Sequence, residues 1–163
     1  MTDEYIIREL NQMALSSVSK GFDPFAAALV LNNKIVATSR DQCIVYSDPT
    51  AHAELVLISE YCRANKLISL EGYSLYTNVE PCVMCSGAIH WARISRLIYG
   101  VGQSRLQEVS GGKPKPSCRD LINVGGKKIE VCGPILEDEG MKVLQQFPTK
   151  SKLIRHQAYR NSV

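Results

Sequence analysis

The chain has 163 residues and a formal net charge of +3, with 45% hydrophobic and 21% charged residues. This length suits one domain with a sizeable core, and the composition is that of an ordinary globular protein. So mild a charge does not by itself indicate nucleic-acid binding. No apolar stretch reaches the roughly 18 residues of a membrane span, and the first residues lack the apolar region of a signal peptide. The expectation is therefore a cytoplasmic protein without a membrane partner.

Hydrophobic periodicity predicts the elements of the first hundred residues. Apolar residues at helical spacing predict a helix over residues 3–19, ended by Gly21. The segment "FAAALVLNNKIVATS" predicts two strands joined by a tight Asn-Asn turn. Residues 51–64 are predicted as a helix that Asp48 and Thr50 would initiate. The strand "YSLYTNV", a helix from Pro81 to about Trp91 and the strand "RLIYGV" follow.

The rest of the chain carries weaker signals. Residues 110–117, "SGGKPKPS", read as an exposed loop, "KKIEVCGPIL" as a last strand and "EDEGMKVLQQF" as a last long helix. Residues 148–163 form a basic tail that is predicted as either helical or extended. Strand–helix–strand alternation predicts a partly parallel sheet covered by helices, in one domain over 1–163 without internal repeats.

A histidine and two cysteines have the residue types and spacing of metal ligands. His52 precedes one predicted helix, and Cys82 and Cys85, spaced C-x-x-C, begin another. Thiolate sulfur and imidazole nitrogen are the ligands that zinc prefers, and three protein ligands leave one position open, as in catalytic sites. A closed structural zinc site would recruit a fourth ligand, for which the candidates are Cys43, Cys62, Cys118, Cys132 and His90. A redox C-x-x-C is the other alternative, but it leaves His52 unexplained.

Glu54, two positions after His52, indicates the chemistry of the site. Two residues apart on an ideal helix, the two side chains point about 200° apart, so Glu54 is not expected to bind the same ion. A carboxylate beside the ion can instead accept a proton from an activated water and deliver it to a substrate. The predicted site therefore combines three zinc ligands with one general acid–base residue.

The sequence H-A-E followed by P-C-V-M-C resembles the signature of the zinc-dependent cytidine and nucleobase deaminase superfamily. The resemblance extends from the predicted hairpin through the last helix. It implies an α/β fold, a three-layer α/β/α sandwich with a five-stranded mixed sheet, and suggests a homodimer. It also implies that His52, Cys82 and Cys85 bind Zn²⁺ and that Glu54 shuttles protons.

Two branches of this superfamily are similar to the chain. "DPFAAALV", "GAIHWAR" and "QAYRN" resemble segments of bacterial guanine deaminases, which implies that Phe25, Trp91 and Tyr159 contact the substrate and that the tail covers the site. The segment "IEVCGPILEDEGMKVLQQF" is arranged as in tRNA adenosine deaminases. The tail has a thinner set of basic residues than that branch, so a nucleic-acid partner is less expected than a small aminopurine.

Asp41 departs from both branches, which usually carry an asparagine at this position. Because an ionised aspartate only accepts hydrogen bonds, substrate contact here would favour an amino or ring N–H edge. The alternative is that Asp41 caps a turn and faces solvent. The leading expectation is deamination of an aminopurine base or nucleoside, with guanine converted to xanthine. The alternatives are conversion of tRNA adenosine to inosine, deamination of another heterocycle such as cytosine, and a zinc-stabilised binding module, against which the intact Glu54 argues.

Overall fold

The computed structural model describes residues 1–111, 115–125, 128–147 and 152–162, with side chains of the last segment from Arg155 onward. Its strands are β1 Ala26–Leu31, β2 Lys34–Arg40, β3 Ser74–Val79, β4 Arg96–Val101 and β5 Glu130–Cys132. Its helices are α1 Asp3–Val18, α2 Cys43–Tyr46, α3 Ala53–Asn65, α4 Val83–Trp91, α5 Gln103–Ser110, α6 Cys118–Ile122, α7 Glu137–Gln145 and α8 Lys152–Arg160. None of the helices in the described part of the chain is long and apolar enough to cross a membrane.

The five strands form one mixed sheet in the order β2-β1-β3-β4-β5. The hairpin strands β1 and β2 are antiparallel, as are β1 and β3, whereas β3, β4 and β5 run parallel. Alternate residues of the central strands face opposite sides. Ala27, Leu29 and Leu75 belong to a core shared with α3 and α4, while Ala28 and Tyr76 pack with α1. The predicted three-layer α/β/α sandwich with a five-stranded mixed sheet is confirmed.

Local sequence signals account for some of the element boundaries. Thr2 caps α1 by accepting a hydrogen bond from the Tyr5 amide at 3.2 Å. Asn32 and Asn33 have φ angles of 50° and 59°, the left-handed conformation that a two-residue hairpin turn requires at both positions. The predicted start of α3 was wrong by two residues, because Asp48 closes a turn onto Thr50 instead of capping the helix. The helix cap is His52.

The structure adds three short helices that periodicity did not predict: α2, α5 and α6. Each spans eight residues or fewer, too short to display a full apolar stripe. The tail, predicted as helical or extended, is helical over α8. Residues 112–114 of the predicted loop, 126–127 before the last strand and 148–151 of the tail lie outside the described residues.

Candidate active site

The predicted site residues meet where α3 and α4 begin. His52 and Cys82 are the N-cap residues of these helices and have extended backbone conformations. Glu54 and Cys85 follow in the first helical turns. Because His52 lies outside the helix, its direction relative to Glu54 is set by the cap rather than by helical rotation. The unpaired amides and positive partial charge of a helix N-terminus favour a thiolate at such a position.

The three candidate ligand atoms form a nearly equilateral triangle. Cys82 Sγ lies 3.6 Å from Cys85 Sγ and 3.6 Å from His52 Nδ1, and Cys85 Sγ lies 3.5 Å from His52 Nδ1. A tetrahedral zinc with ordinary ligand distances requires about 3.8 Å between sulfurs and about 3.6 Å between sulfur and nitrogen. The donor set and its spacing therefore fit zinc without rearrangement.

The pKa values of the two thiols are also consistent with a metal site. The hydrogen bond from Cys85, helped by His52, lowers the pKa of Cys82 to about 3. The neighbouring Cys82 sulfur and burial raise the pKa of the Cys85 thiol far above its usual range. The two thiols thus differ in how readily each loses its proton. A divalent ion between them would allow both to ligate as thiolates.

The cluster leaves room for a water or substrate. Among the residues that the structure describes, no further histidine, cysteine or acidic side chain is grouped with His52, Cys82 and Cys85 as a fourth ligand. His90, one of the alternative ligands, has its Nδ1 2.8 Å from the Ile122 carbonyl oxygen instead. A second group, Asp41, Cys43 and His52, shares the same histidine. The three-ligand arrangement is that of a catalytic rather than a closed structural site.

Glu54 lies beside the trio without joining it. Its side chain is buried, and burial raises the pKa of Glu54 to about 7. A carboxyl group with a pKa near neutrality can both accept and donate a proton at physiological pH. This is the property that a proton shuttle needs.

Glu54 and His52 open into a cavity of about 220 Å³. Its apolar wall consists of Phe25, Ala26, Val79 and Leu106. This volume is below the roughly 300–1,000 Å³ of sites for larger ligands, so it suits a small flat molecule.

Five polar residues of the cavity wall were missed by sequence reasoning: Thr77, Asn78, Glu80, Gln103 and Lys115. Asn78 and Glu80 flank the end of β3, immediately before the cysteine motif, and that position was the available signal. Lys115 belongs to the segment that was read as a solvated loop. It is exposed, but it lines the mouth of the cavity.

The proposed substrate contacts are only partly brought to the cavity. Phe25 lines it, as expected. Asp41 does not line it, and neither does it face solvent: its side chain is buried, and its carboxylate accepts hydrogen bonds from the Cys43 amide at 3.1 Å and the Cys43 thiol at 3.4 Å. The expected turn is therefore present, but it is buried beside His52.

Trp91 and Tyr159 are not among the residues that line the cavity, so their contact with a substrate stays a prediction. Trp91 is 82% exposed and ends α4, whereas the candidate ligands Cys82 and Cys85 lie at the beginning of that helix. Trp91 lies six positions after Cys85 in the helix, a rise of about 9 Å. Tyr159 makes an edge-on contact with Phe22, with ring centroids 6.1 Å apart, in a cleft between α8 and residues 20–22. None of the described side chains of α8 is among the residues that line the cavity.

Comparison with known proteins agrees with this geometry. Residues 1–101 match the family described as the cytidine and deoxycytidylate deaminase zinc-binding region. A tRNA-specific adenosine deaminase of Buchnera aphidicola is 32% identical over 99% of this chain and 98% of its own length. A guanine deaminase of Bacillus subtilis is 36% identical over 66% of this chain and 70% of its own length. A solved guanine deaminase from Nitrosomonas europaea superimposes with a TM-score of 0.74 at 21% identity, covering 86% of this chain and 81% of that one.

The fold and the ligand trio thus define a zinc-binding deaminase domain. The protein belongs to the cytidine and deoxycytidylate deaminase family, and it is a zinc-dependent aminohydrolase of that family. The relatives include enzymes named for a free base and enzymes named for tRNA, so family membership fixes the reaction type and not the substrate.

Proposed function

We propose that this protein hydrolytically deaminates an aminopurine base or nucleoside, with guanine to xanthine and ammonia as the leading case. The observation that carries the proposal is Glu54, buried beside the ligand trio and lining a small cavity with an apolar wall. The aromatic ring of Phe25 in that wall supports stacking of a flat heterocycle. The similarity to a guanine deaminase supports the choice of base.

His52, Cys82 and Cys85 would hold the zinc ion. When bound, zinc supplies Lewis acidity that activates water near neutral pH. Glu54 accepts a proton from the attacking water and passes it to the ring nitrogen next to the amino-bearing carbon. Once the carbon–oxygen bond has formed, Glu54 takes the remaining proton from the added hydroxyl group and delivers it to the amine. The carbon–nitrogen bond then breaks, the carbonyl forms and ammonia leaves. The apolar wall excludes bulk water and so preserves this proton path.

A second candidate is deamination of adenosine in tRNA. Its support is the tRNA-specific relative that matches nearly the whole chain, together with the cationic Lys115 at the cavity mouth. A base flipped out of a nucleic acid would occupy the same cavity, with its ribose at the mouth and a phosphate near Lys115.

We further propose that the protein is a cytoplasmic homodimer. Size-exclusion chromatography with light scattering would test the dimer.

Ammonia release from a substrate panel tests the proposal. Zinc-loaded protein would be assayed with guanine, guanosine, adenine, adenosine, cytosine, a pterin and an unmodified tRNA, using Glu54→Gln as the matched inactive control. We expect fastest turnover on an amino-bearing purine. Inosine formation in tRNA that outpaces every free base would favour the second candidate. Binding to tRNA that weakens steeply between about 50 and 200 mM salt would support it further.

A further inference from the structure

A buried ion pair joins the tail helix α8 to the segment that carries Phe25. The Arg155 guanidinium makes two parallel hydrogen bonds to Asp23, with Nη1–Oδ2 at 3.0 Å and Nη2–Oδ1 at 3.1 Å. The two side chains are only 9% and 6% exposed, whereas those of the ion pair Arg8–Glu139 are 54% and 46% exposed. The guanidinium also lies over the Phe147 ring, 4.5 Å from its centroid. A bidentate, desolvated pair of this kind holds both partners in one geometry.

The same segment is fixed from the other side by β3. The Asn78 amide oxygen accepts a hydrogen bond from the Ala26 amide at 2.8 Å, and its nitrogen donates to the Pro24 carbonyl at 2.9 Å. The Phe25 carbonyl accepts from the Asp41 amide at 3.0 Å. Phe25 itself is only partly buried, with its side chain on the cavity wall. Its backbone is thus clamped between Asn78 in the sheet and, through Asp23, Arg155 in the tail.

We propose that Arg155 is a positioning residue for substrate binding, acting through Asp23 on Phe25. The tail then influences the cavity as a brace behind its aromatic wall and not as a cover over its mouth. This inference rests on the proposed function in one respect, that a heterocyclic base stacks on Phe25. A ring that is free to shift would bind the base less well but would leave the zinc trio and Glu54 in place, so the effect falls on KM more than on kcat.

The decisive variants are Arg155→Leu, Arg155→Lys, Asp23→Asn and the Arg155→Leu/Asp23→Asn double variant, all in the full-length, zinc-loaded protein. His156→Ala is the matched control, since His156 is the next residue of α8 and its Nε2 lies 2.9 Å from the Ser47 hydroxyl oxygen. We expect Arg155→Leu to raise KM about tenfold, with kcat within about threefold and zinc content unchanged. Arg155→Lys keeps the positive charge but cannot make both parallel hydrogen bonds to Asp23, so its KM should fall between those of the wild type and Arg155→Leu.

Two further readouts separate bracing from simple tail attachment. Hydrogen exchange measured by mass spectrometry should show faster exchange of the Ala26 and Asp41 amides in Arg155→Leu, and unchanged exchange there in His156→Ala. The double variant should raise KM by less than the product of the two single effects, because both single changes break the same ion pair.

Wild-type KM in Arg155→Leu together with wild-type exchange at residues 22–26 would overturn the inference, as would equal effects of His156→Ala. If Arg155→Leu does not fold, Arg155→Lys and Asp23→Asn carry the same comparison. If the wild-type protein deaminates none of the bases, the proposed function fails. The exchange data then decide by themselves whether Arg155 braces the Phe25 segment.

Discussion

Two glutamates line the cavity from different elements, and their environments are opposite. Glu54, in the first turn of α3, is buried, and burial raises its pKa to about 7. Burial alone would also raise the pKa of Glu80, at the end of β3, but hydrogen bonds hold it below its usual range. Its carboxylate accepts from the Gln103 and Cys118 amides and the Ser117 hydroxyl, each at 2.8 Å.

The difference supports separate roles for the two residues, with Glu54 as the proposed proton shuttle. A carboxylate that is satisfied by three donors stays ionised and anchors the starts of α5 and α6, whereas one with a pKa near neutrality can exchange protons. Both residues are glutamates within thirty positions of each other and beside the same cysteine motif. Their residue type therefore says nothing about which one performs chemistry, and the donors around each decide it.

Removing the metal should give the largest effect and should affect only the Glu54 side of the cavity. Dialysis against a chelator, or Cys85→Ala, is expected to abolish turnover, because activation of water depends on the ion. The Glu80 anchor does not involve the metal, so the protein should stay folded by circular dichroism. Metal analysis should find about one zinc per chain in the wild type.

Cys62→Ala is the matched control, since Cys62 is partly buried and lies outside both ligand groups. It should keep its zinc and its activity. Full zinc content in Cys85→Ala would show that the trio is not the metal site.

Glu54→Gln should give the next largest effect. The substitution keeps the shape of the side chain and removes its proton exchange, so turnover should fall about 10²–10⁴-fold with zinc retained. Glu80→Gln, the same chemical change on the other side of the cavity, should cost activity much less than Glu54→Gln. Comparable losses of kcat in the two variants, both loaded with zinc, would contradict the assignment of separate roles.

The sequence predicted the Glu54 side of this comparison and missed the Glu80 side, for a physical reason. His52, Glu54, Cys82 and Cys85 lie at helix starts, where a short local motif fixes the direction of each side chain. The donors to Glu80 come from residues 103, 117 and 118, in two short helices that periodicity did not reveal. Likewise, Trp91 and Cys85 belong to one sequence segment but lie at opposite ends of α4. Residues that are close in a motif can therefore be far apart in the folded helix.

In metal-free protein, the contributions of the two glutamates to folding stability should change with pH in opposite directions. The folded pKa of Glu54 is raised from 4.5 to about 7, so its stabilising contribution is present below about pH 4.5 and is lost as the pH rises through 7. The folded pKa of Glu80 is lowered, so its contribution is present above about pH 4.5 and is lost as the pH falls through that lower folded value.

Urea unfolding of metal-free wild type, Glu54→Gln and Glu80→Gln at several pH values measures this contrast. Relative to wild type, Glu54→Gln should gain stability as the pH rises from 4.5 to 7, because only the wild type has a buried carboxyl group whose ionisation opposes folding. Glu80→Gln should lose about 2 kcal/mol at neutral pH, and this deficit should shrink in acid. If the stability difference from wild type changed with pH in the same direction in both variants, the proposed contrast between Glu54 and Glu80 would be wrong.

Asp41 is a third buried carboxylate near the site, and it should behave as Glu80 does. It accepts hydrogen bonds from the backbone and thiol of Cys43 and does not line the cavity. In Asp41→Asn, the amide oxygen can still accept from the Cys43 amide, but the nitrogen replaces the oxygen that faces the thiol. We therefore expect a loss of about 1 kcal/mol in stability.

We also expect turnover efficiencies of Asp41→Asn on guanine, guanosine and adenosine to keep their wild-type order, with ratios changing less than about twofold. A reordering of these substrates in Asp41→Asn at unchanged zinc content would mean that Asp41 reaches the bound base after all. In that case its replacement of the usual asparagine determines specificity, and burial beside His52 would describe only the unliganded state.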